Sequence, residues 1–245
     1  MNPETPGPWQ DWQGHALVVG AGGIGRALLH ALPARAPRLT LWSAGRSAGG
    51  PRHLSLDLED DSSLAGFAAV VAERLQPLRL VICAAGLLHE GELQPEKRLN
   101  QIRRWMLQRS FAVNAWGPLL LAQAIEPALP KELPCHFASL SARVGSIADN
   151  RLGGWYAYRA AKAAQNQLLT TLALEWRRRL PLACVTLLHP GTTATELSAP
   201  FQSSVKPDRL FTPAHAADQL LTVLEGQSPE RSGAFLAWDG ETVPW

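Results

Sequence analysis

Ala16-Leu17-Val18-Val19-Gly20-Ala21-Gly22-Gly23-Ile24-Gly25-Arg26-Ala27-Leu28-Leu29 is the stretch whose reading decides the fold. An apolar run of strand length, Ala16–Val19, stops at a glycine, and a helix-compatible run follows. Between them lies G-x-G-x-x-G, Gly20 to Gly25, with Gly23 and Ile24 inside it. Its glycines let the chain turn tightly, and the N-terminus of the following helix can meet an anion such as a pyrophosphate. The motif is weak in isolation. Here it follows a strand and opens a helix in the first β–α unit.

Outward from that unit the alternation continues. Strand-like runs recur at Leu39–Trp42, His53–Leu56, Leu78–Cys83, Cys135–Leu140, Ala183–Leu188 and Ala234–Trp238. Helical patterns lie near Gly23–Leu32, Ser62–Leu75, Lys97–Ala128, Trp155–Arg179 and Pro213–Glu225. Strands that are apolar throughout, rather than alternating, suit a parallel sheet covered on both faces. Repeated β–α units imply right-handed crossovers. The expected fold is α/β: a single-domain, Rossmann-type doubly wound parallel sheet of about seven strands with helices on both faces, over residues 14–245. Residues 1–13, with Pro3, Pro6 and Pro8, read as a flexible lead-in without a charged-then-apolar leader.

Composition narrows the function classes. The chain has 245 residues, 46% hydrophobic and 18% charged, which is enough apolar content for a large core. The formal charge is +2, and the one notable basic run, Arg177-Arg178-Arg179, ends a helical pattern where cations complement the helix dipole. Nucleic acid is therefore not expected as a partner. Cys83, Cys135 and Cys184 lack C-x-x-C spacing and read as buried free thiols, and no metal-ligand spacing appears. The most apolar window, 111–125, is interrupted by Asn114, Gly117 and Pro118 and is too short to span a bilayer. A cytoplasmic protein with no membrane partner is expected.

In such sheets, ligands bind beyond the carboxyl ends of the strands. After the second strand comes Trp42-Ser43-Ala44-Gly45-Arg46, with a guanidinium and no carboxylate. A carboxylate there would accept from a ribose 2′-hydroxyl, whereas an arginine suits a 2′-phosphate. NADP(H) is thus favoured over NAD(H), with Arg26 as a possible helper. Asp57-Leu58 follows the third strand and offers a carboxylate to an adenine amino group. Ala84-Ala85-Gly86 follows the fourth and gives a small-residue floor. After the fifth strand, Tyr158 and Lys162 stand four apart on a helical pattern and so share one face. A nearby ammonium and a cofactor cation are together expected to lower a phenol from its usual pKa of about 10. Tyr156 has Ala160 at the corresponding position and lacks the partner.

With these pieces in this order, residues from about His15 to Gly240 resemble the short-chain dehydrogenase/reductase superfamily. The glycine loop at 20–25, Asp57-Leu58, Ala84-Ala85-Gly86, Val113-Asn114-Ala115, Tyr158/Lys162 and His189-Pro190-Gly191 with Thr193 and Thr195 carry the likeness. The segments 142–147 and 153–159 and the ending Trp238-Asp239-Gly240 are similar to the C-factor branch, near the sniffer-type carbonyl reductases.

The resemblance implies that Tyr158 is the general acid or base and that Lys162 binds the nicotinamide ribose. It implies a role for Asn114 in a proton relay and for Pro190, Gly191, Thr193 and Thr195 against nicotinamide and phosphates. The family's serine commonly stands three residues before a glycine, and counting from Gly145 gives Ala142. Ser141 is the expected substitute and Ser146 the alternative.

Residues 197–211, with Pro200, Phe201, Val205, Pro207 and Leu210, are expected to form a lid over an apolar carbonyl or alcohol substrate. The long helical patterns at 97–128 and 155–179 carry more apolar surface than one sheet face needs, and the resemblance implies that such helices pair in a homodimer or homotetramer, with Leu168, Leu172 and Trp176 as candidate contacts. The other reading is a nucleotide-binding signalling or regulatory protein of the same fold with little turnover.

Overall fold

The computed structural model describes residues 8–47 and 49–245. Its main sheet has seven parallel strands: β1 (Gly14–Val19), β2 (Leu39–Gly45), β3 (His53–Ser55), β4 (Leu78–Cys83), β5 (Cys135–Leu140), β6 (Ala183–His189) and, counted in chain order, β9 (Ala234–Ala237). Their spatial order is β3-β2-β1-β4-β5-β6-β9. Two short strands, β7 (Thr192–Thr193) and β8 (Leu210–Phe211), pair in parallel with each other. The expected doubly wound sheet is borne out, and so is the reason for it. Leu17 and Val19 pack on one face while Ala16 and Val18 pack on the other, so both faces demand apolar side chains.

Helices α1 (Gly23–Arg35) and, at the far end of the chain, α6 (Pro213–Glu225) cover one face through Leu28, Leu32, Leu220 and Leu224. Arg35 of α1 pairs with Asp218 and Glu225 of α6, which ties the two together. Helix α2 (Asp61–Arg74), α4 (Gly117–Ile125) and α5 (Tyr156–Arg179) cover the other through Leu64, Leu121 and Leu169. Trp176 is fully buried there, edge-on to Phe137, and donates to Glu126 Oε2. Trp176 and Leu172 are therefore core residues rather than subunit contacts. Exposed large apolar side chains on and beside this layer include Trp105, Trp116, Tyr156 and Leu174.

The single helix expected over 97–128 is broken. A 3-10 turn at Leu99–Gln101 precedes α3 (Arg104–Phe111), a π turn at Ala112–Trp116, α4, and a 3-10 turn at Glu126–Ala128. Pro118 in the first turn of α4 has no N–H to donate. The π turn absorbs the mismatch, with Gly117 N donating to Ala112 O.

The expected flexible lead-in also needs correcting where it is described; residues 1–7 lie outside the described residues. Trp9 is fully buried, edge-on to His136, and Trp12 stacks under Arg79. Trp9→Ala is expected to destabilise the fold by about 3 kcal/mol or more. A urea midpoint equal to that of the parent would show instead that this segment only rests on the core.

Candidate active site

The carboxyl ends of β1, β4 and β6 bring the glycine loop and two other segments together. Gly20 has φ +93, and a Cβ on it would lie 2.6 Å from Ala85 N. A Cβ on Gly25 would lie 1.8 Å from Gly20 O, so the strand end and the helix start fit only as glycines. A Cβ on Gly23 would meet Thr195 Cγ2 at 2.5 Å, which places the segment after β6 against the loop. A Cβ on Gly22, by contrast, would meet nothing within 4 Å. Gly22 precedes α1, whose first turn has neither a side-chain cap nor an acidic residue. The outer face of this loop is thus an open cradle of backbone N–H groups that fits a diphosphate.

Other predicted nucleotide residues border the same edge. Leu58 is buried against Gly117, and Asp57 Oδ1 accepts from Glu59 N at 3.0 Å. Ala84 N donates to Val19 O at 2.7 Å, holding the 84–86 segment beside the glycine loop. Arg46 is largely exposed, and its guanidinium lies 3.7 Å from Glu90 Oε1. Glu90 also pairs with Arg109, and Arg109 with Glu59. Ile24 is half-buried.

Tyr158 and Lys162 lie in the first two turns of α5, as their spacing requires. Lys162 is 2% exposed, and its Nζ donates to Leu140 O at 2.8 Å and Gln165 Oε1 at 2.9 Å. Gln165 in turn donates to Ser139 Oγ at 2.7 Å. Burial brings the Lys162 ammonium down to about 8. Its Nζ is 5.8 Å from the centre of the Tyr158 ring. Burial pushes the Tyr158 phenol above its ordinary value. The expected lowering of that phenol is therefore not a property of the chain by itself.

Asn114 sits in the π turn and is fully buried. Its Oδ1 accepts from Leu87 N at 2.9 Å, and its Nδ2 donates to Leu87 O at 2.7 Å. It thereby clamps the backbone that leaves β4. The serine expectation is corrected. Ser141 is buried and its Oγ donates to Asn166 Oδ1 at 2.6 Å, so its proton is committed inside the helix–sheet interface. Ser146 Oγ accepts from Asp149 N at 3.1 Å and closes a turn. The partly exposed residue at the strand exit is Ala142, which has no hydroxyl.

The segment 197–211 is folded rather than open, with 3-10 turns at Ala199–Ser204 and Pro207–Arg209 before β8. Phe201 packs on Trp155 with ring centres 4.9 Å apart and on His89 at 6.1 Å. Gly191, at φ +71, lies under Phe211, and a Cβ there would be 2.5 Å from that ring. Thr193 Oγ1 donates to Pro190 O at 3.4 Å. The residues that sequence reasoning did not find are Trp155, Glu96 and Gln165. Only Gln165 had a signal, being one turn beyond Lys162.

Residues 14–206 match the family model described as short chain dehydrogenase. The chain belongs to the short-chain dehydrogenase family. The C-signal of Myxococcus xanthus is 36% identical to this short-chain dehydrogenase over 140 residues, 57% of this chain and 78% of that one. The 1-hydroxy-2-glutathionyl-2-methyl-3-butene dehydrogenase of Rhodococcus sp. (strain AD45) is 30% identical over 192 residues, 78% of each chain. Among solved structures, an NADPH-bound carbonyl reductase from chicken fatty liver superposes with a TM-score of 0.83 at 25% identity. That superposition covers 96% of this chain and 100% of the reductase. The resemblance to the C-factor and carbonyl-reductase branch is borne out. Among the described residues, no helix is long and apolar enough to cross a membrane and no group of three or more His, Cys, Asp or Glu side chains is placed to hold a metal ion.

Proposed function

We propose that this short-chain dehydrogenase is an NADP(H)-dependent oxidoreductase that interconverts a small carbonyl compound and its alcohol. The observation that carries this reading is the pair Tyr158 and Lys162. The lysine is held by Leu140 O and Gln165 one helical turn from the phenol, at the sheet edge that also carries the glycine cradle. When bound, the cofactor supplies or takes up a hydride at the carbonyl carbon. Gly20, Gly22, Gly23, Ile24 and Gly25 would hold its diphosphate. Asp57, Leu58, Ala84, Ala85 and Gly86 would border the adenosine, and Pro190, Gly191, Thr193 and Thr195 the nicotinamide end.

The chain's own part is proton transfer at the substrate oxygen. A phenol raised by burial is protonated at neutral pH, so Tyr158 is set to act as the acid in the reduction direction. Lys162 would bind the nicotinamide ribose, and Asn114 holds the loop beside it. With Ala142 in the family's serine position, Tyr158 is the principal hydrogen-bond donor to that oxygen. Trp155 and Phe201 give the substrate side an apolar wall. A homodimer or homotetramer in the cytoplasm remains the reading for assembly and compartment, with Trp105, Trp116 and Leu174 as contacts.

Arg46 supports NADP(H) over NAD(H), because a 2′-phosphate can replace Glu90 as its partner. Arg46→Ala is expected to raise KM for NADPH about tenfold, on the scale of one charge-assisted pair, and to leave KM for NADH nearly unchanged. Equal effects on both cofactors would remove Arg46 from the specificity site. The function itself is tested by NADPH oxidation over a panel of ketones, aldehydes and quinones. Ala142 and the similarity to a C-signal favour a second reading, a nucleotide-binding signalling protein. Tight NADPH binding with no turnover on any of the panel would support that reading instead.

A further inference from the structure

Helix α5, which carries Tyr158, starts in an unfavourable way. The three residues before it are all left-handed, with φ +63 at Gly153, +66 at Gly154 and +54 at Trp155. Trp155 is the only non-glycine residue with positive φ among the described residues. Such a conformation persists only where the surroundings impose it. The helix has no side-chain cap of its own and no acidic residue in its first turn. Its first N–H groups therefore need partners from elsewhere.

Glu96, in the loop between β4 and α3, supplies two of them. Its main-chain oxygen accepts from Trp155 N at 2.5 Å, and its Oε2 accepts from Ala157 N at 3.2 Å. Glu96 is 2% exposed, so this cap is internal to the fold. Ala157 directly precedes Tyr158. Trp155 places its ring 6.3 Å from the Tyr158 ring and 4.9 Å from Phe201. Glu96 thus holds the entry to α5 twice, its main-chain oxygen at Trp155, whose ring lies beside the phenol, and its carboxylate at Ala157, the residue before Tyr158.

We propose that Glu96 is a positioning residue for Tyr158, acting as a cap donated to α5 by the β4–α3 loop. This rests on the oxidoreductase reading for its consequence in turnover, but not for its consequence in structure. Capping needs an oxygen acceptor at the right reach, and neutral acceptors cap about as well as charged ones. Glu96→Gln keeps both reach and acceptor. Glu96→Asp keeps the charge but withdraws the oxygen by one methylene, and Glu96→Ala removes it.

Two measurements decide the matter: steady-state kinetics with NADPH and a carbonyl substrate taken from the panel, and amide hydrogen exchange over residues 155–158. Glu96→Asp and Glu96→Ala are expected to lower kcat roughly tenfold or more, since small misplacement of a reacting group has large effects. The Kd for NADPH is expected to stay within about twofold in both. Exchange at Ala157 should quicken about tenfold in both, in step with a lost local bond. Glu96→Gln should match the parent in both measurements. If Glu96→Gln is as impaired as Glu96→Asp, the charge and not the cap matters, and the proposal fails. It fails equally if Glu96→Asp and Glu96→Ala keep parental kcat and parental exchange. Should the parent turn over no substrate, the exchange results alone still support or overturn the cap, while the oxidoreductase reading falls separately.

Discussion

Tyr158→Phe is expected to lower carbonyl turnover by about 10²- to 10⁴-fold while leaving NADPH affinity within about twofold. The substitution removes one oxygen and keeps the ring, so the contact with Trp155 survives and the first turn of α5 is undisturbed. The loss should fall on kcat rather than on KM, because the proton is transferred only as charge develops on the substrate oxygen. Ala142 enlarges the expected effect. With no hydroxyl at that position and the Ser141 proton given to Asn166, neither residue is placed to take over the hydrogen bond. A unchanged urea midpoint would assign the loss to chemistry. Full activity in Tyr158→Phe would remove the phenol from the mechanism.

Lys162→Met is expected to reduce turnover by a comparable factor and to weaken NADPH binding, yet to leave the protein about as stable at pH 7. Burial lowers this lysine from 10.5 to about 8, so the folded chain binds its proton less tightly than the unfolded chain does. Below pH 8 both states are protonated, and the buried ammonium opposes folding by an amount on the order of 3 kcal/mol. Between pH 8 and 10.5 only the unfolded state keeps the proton, so that opposition fades as pH rises. Methionine removes it at every pH and forfeits the bonds to Leu140 O and Gln165, which offsets the gain. Burial also raises Cys83, Cys135 and Cys184, which destabilises both proteins at high pH. The informative quantity is therefore the parent's stability minus the variant's. It should grow in the parent's favour from pH 8 to 10.5 in urea unfolding, and a flat difference would show that the ammonium is not under strain.

The fold was legible because its signals are local. Each strand of the parallel sheet is apolar on both sides, and the glycine loop carries its own turn geometry. Tyr158 and Lys162 were legible for the same reason, being one turn apart on one helix. Ser141 was not, because its direction depends on strand parity. Ser139 reaches Gln165 and Ser141 reaches Asn166, both on α5, so the alternate serines face the helix. Glu96 left no trace, since its contact with Ala157 spans 61 residues and is made by an irregular loop. The packing of Trp9 was not legible because the proline-rich residues 1–13 resemble a tail, while its burial is decided by distant residues such as His136.

The π turn at Ala112–Trp116 has a bearing on which length changes this family member can accept. That turn holds one residue more than α geometry requires, and its wider pitch takes up that residue without changing the phase between α3 and α4. Deleting a single residue there, away from Asn114, would let the two helices fuse in register, and α3 would keep its face toward α5. The same deletion inside α3 or α4 would instead rotate the segment upstream by roughly 100° relative to the segment downstream. Single-residue deletions should thus be tolerated far better in the π turn than in the helices on either side of it.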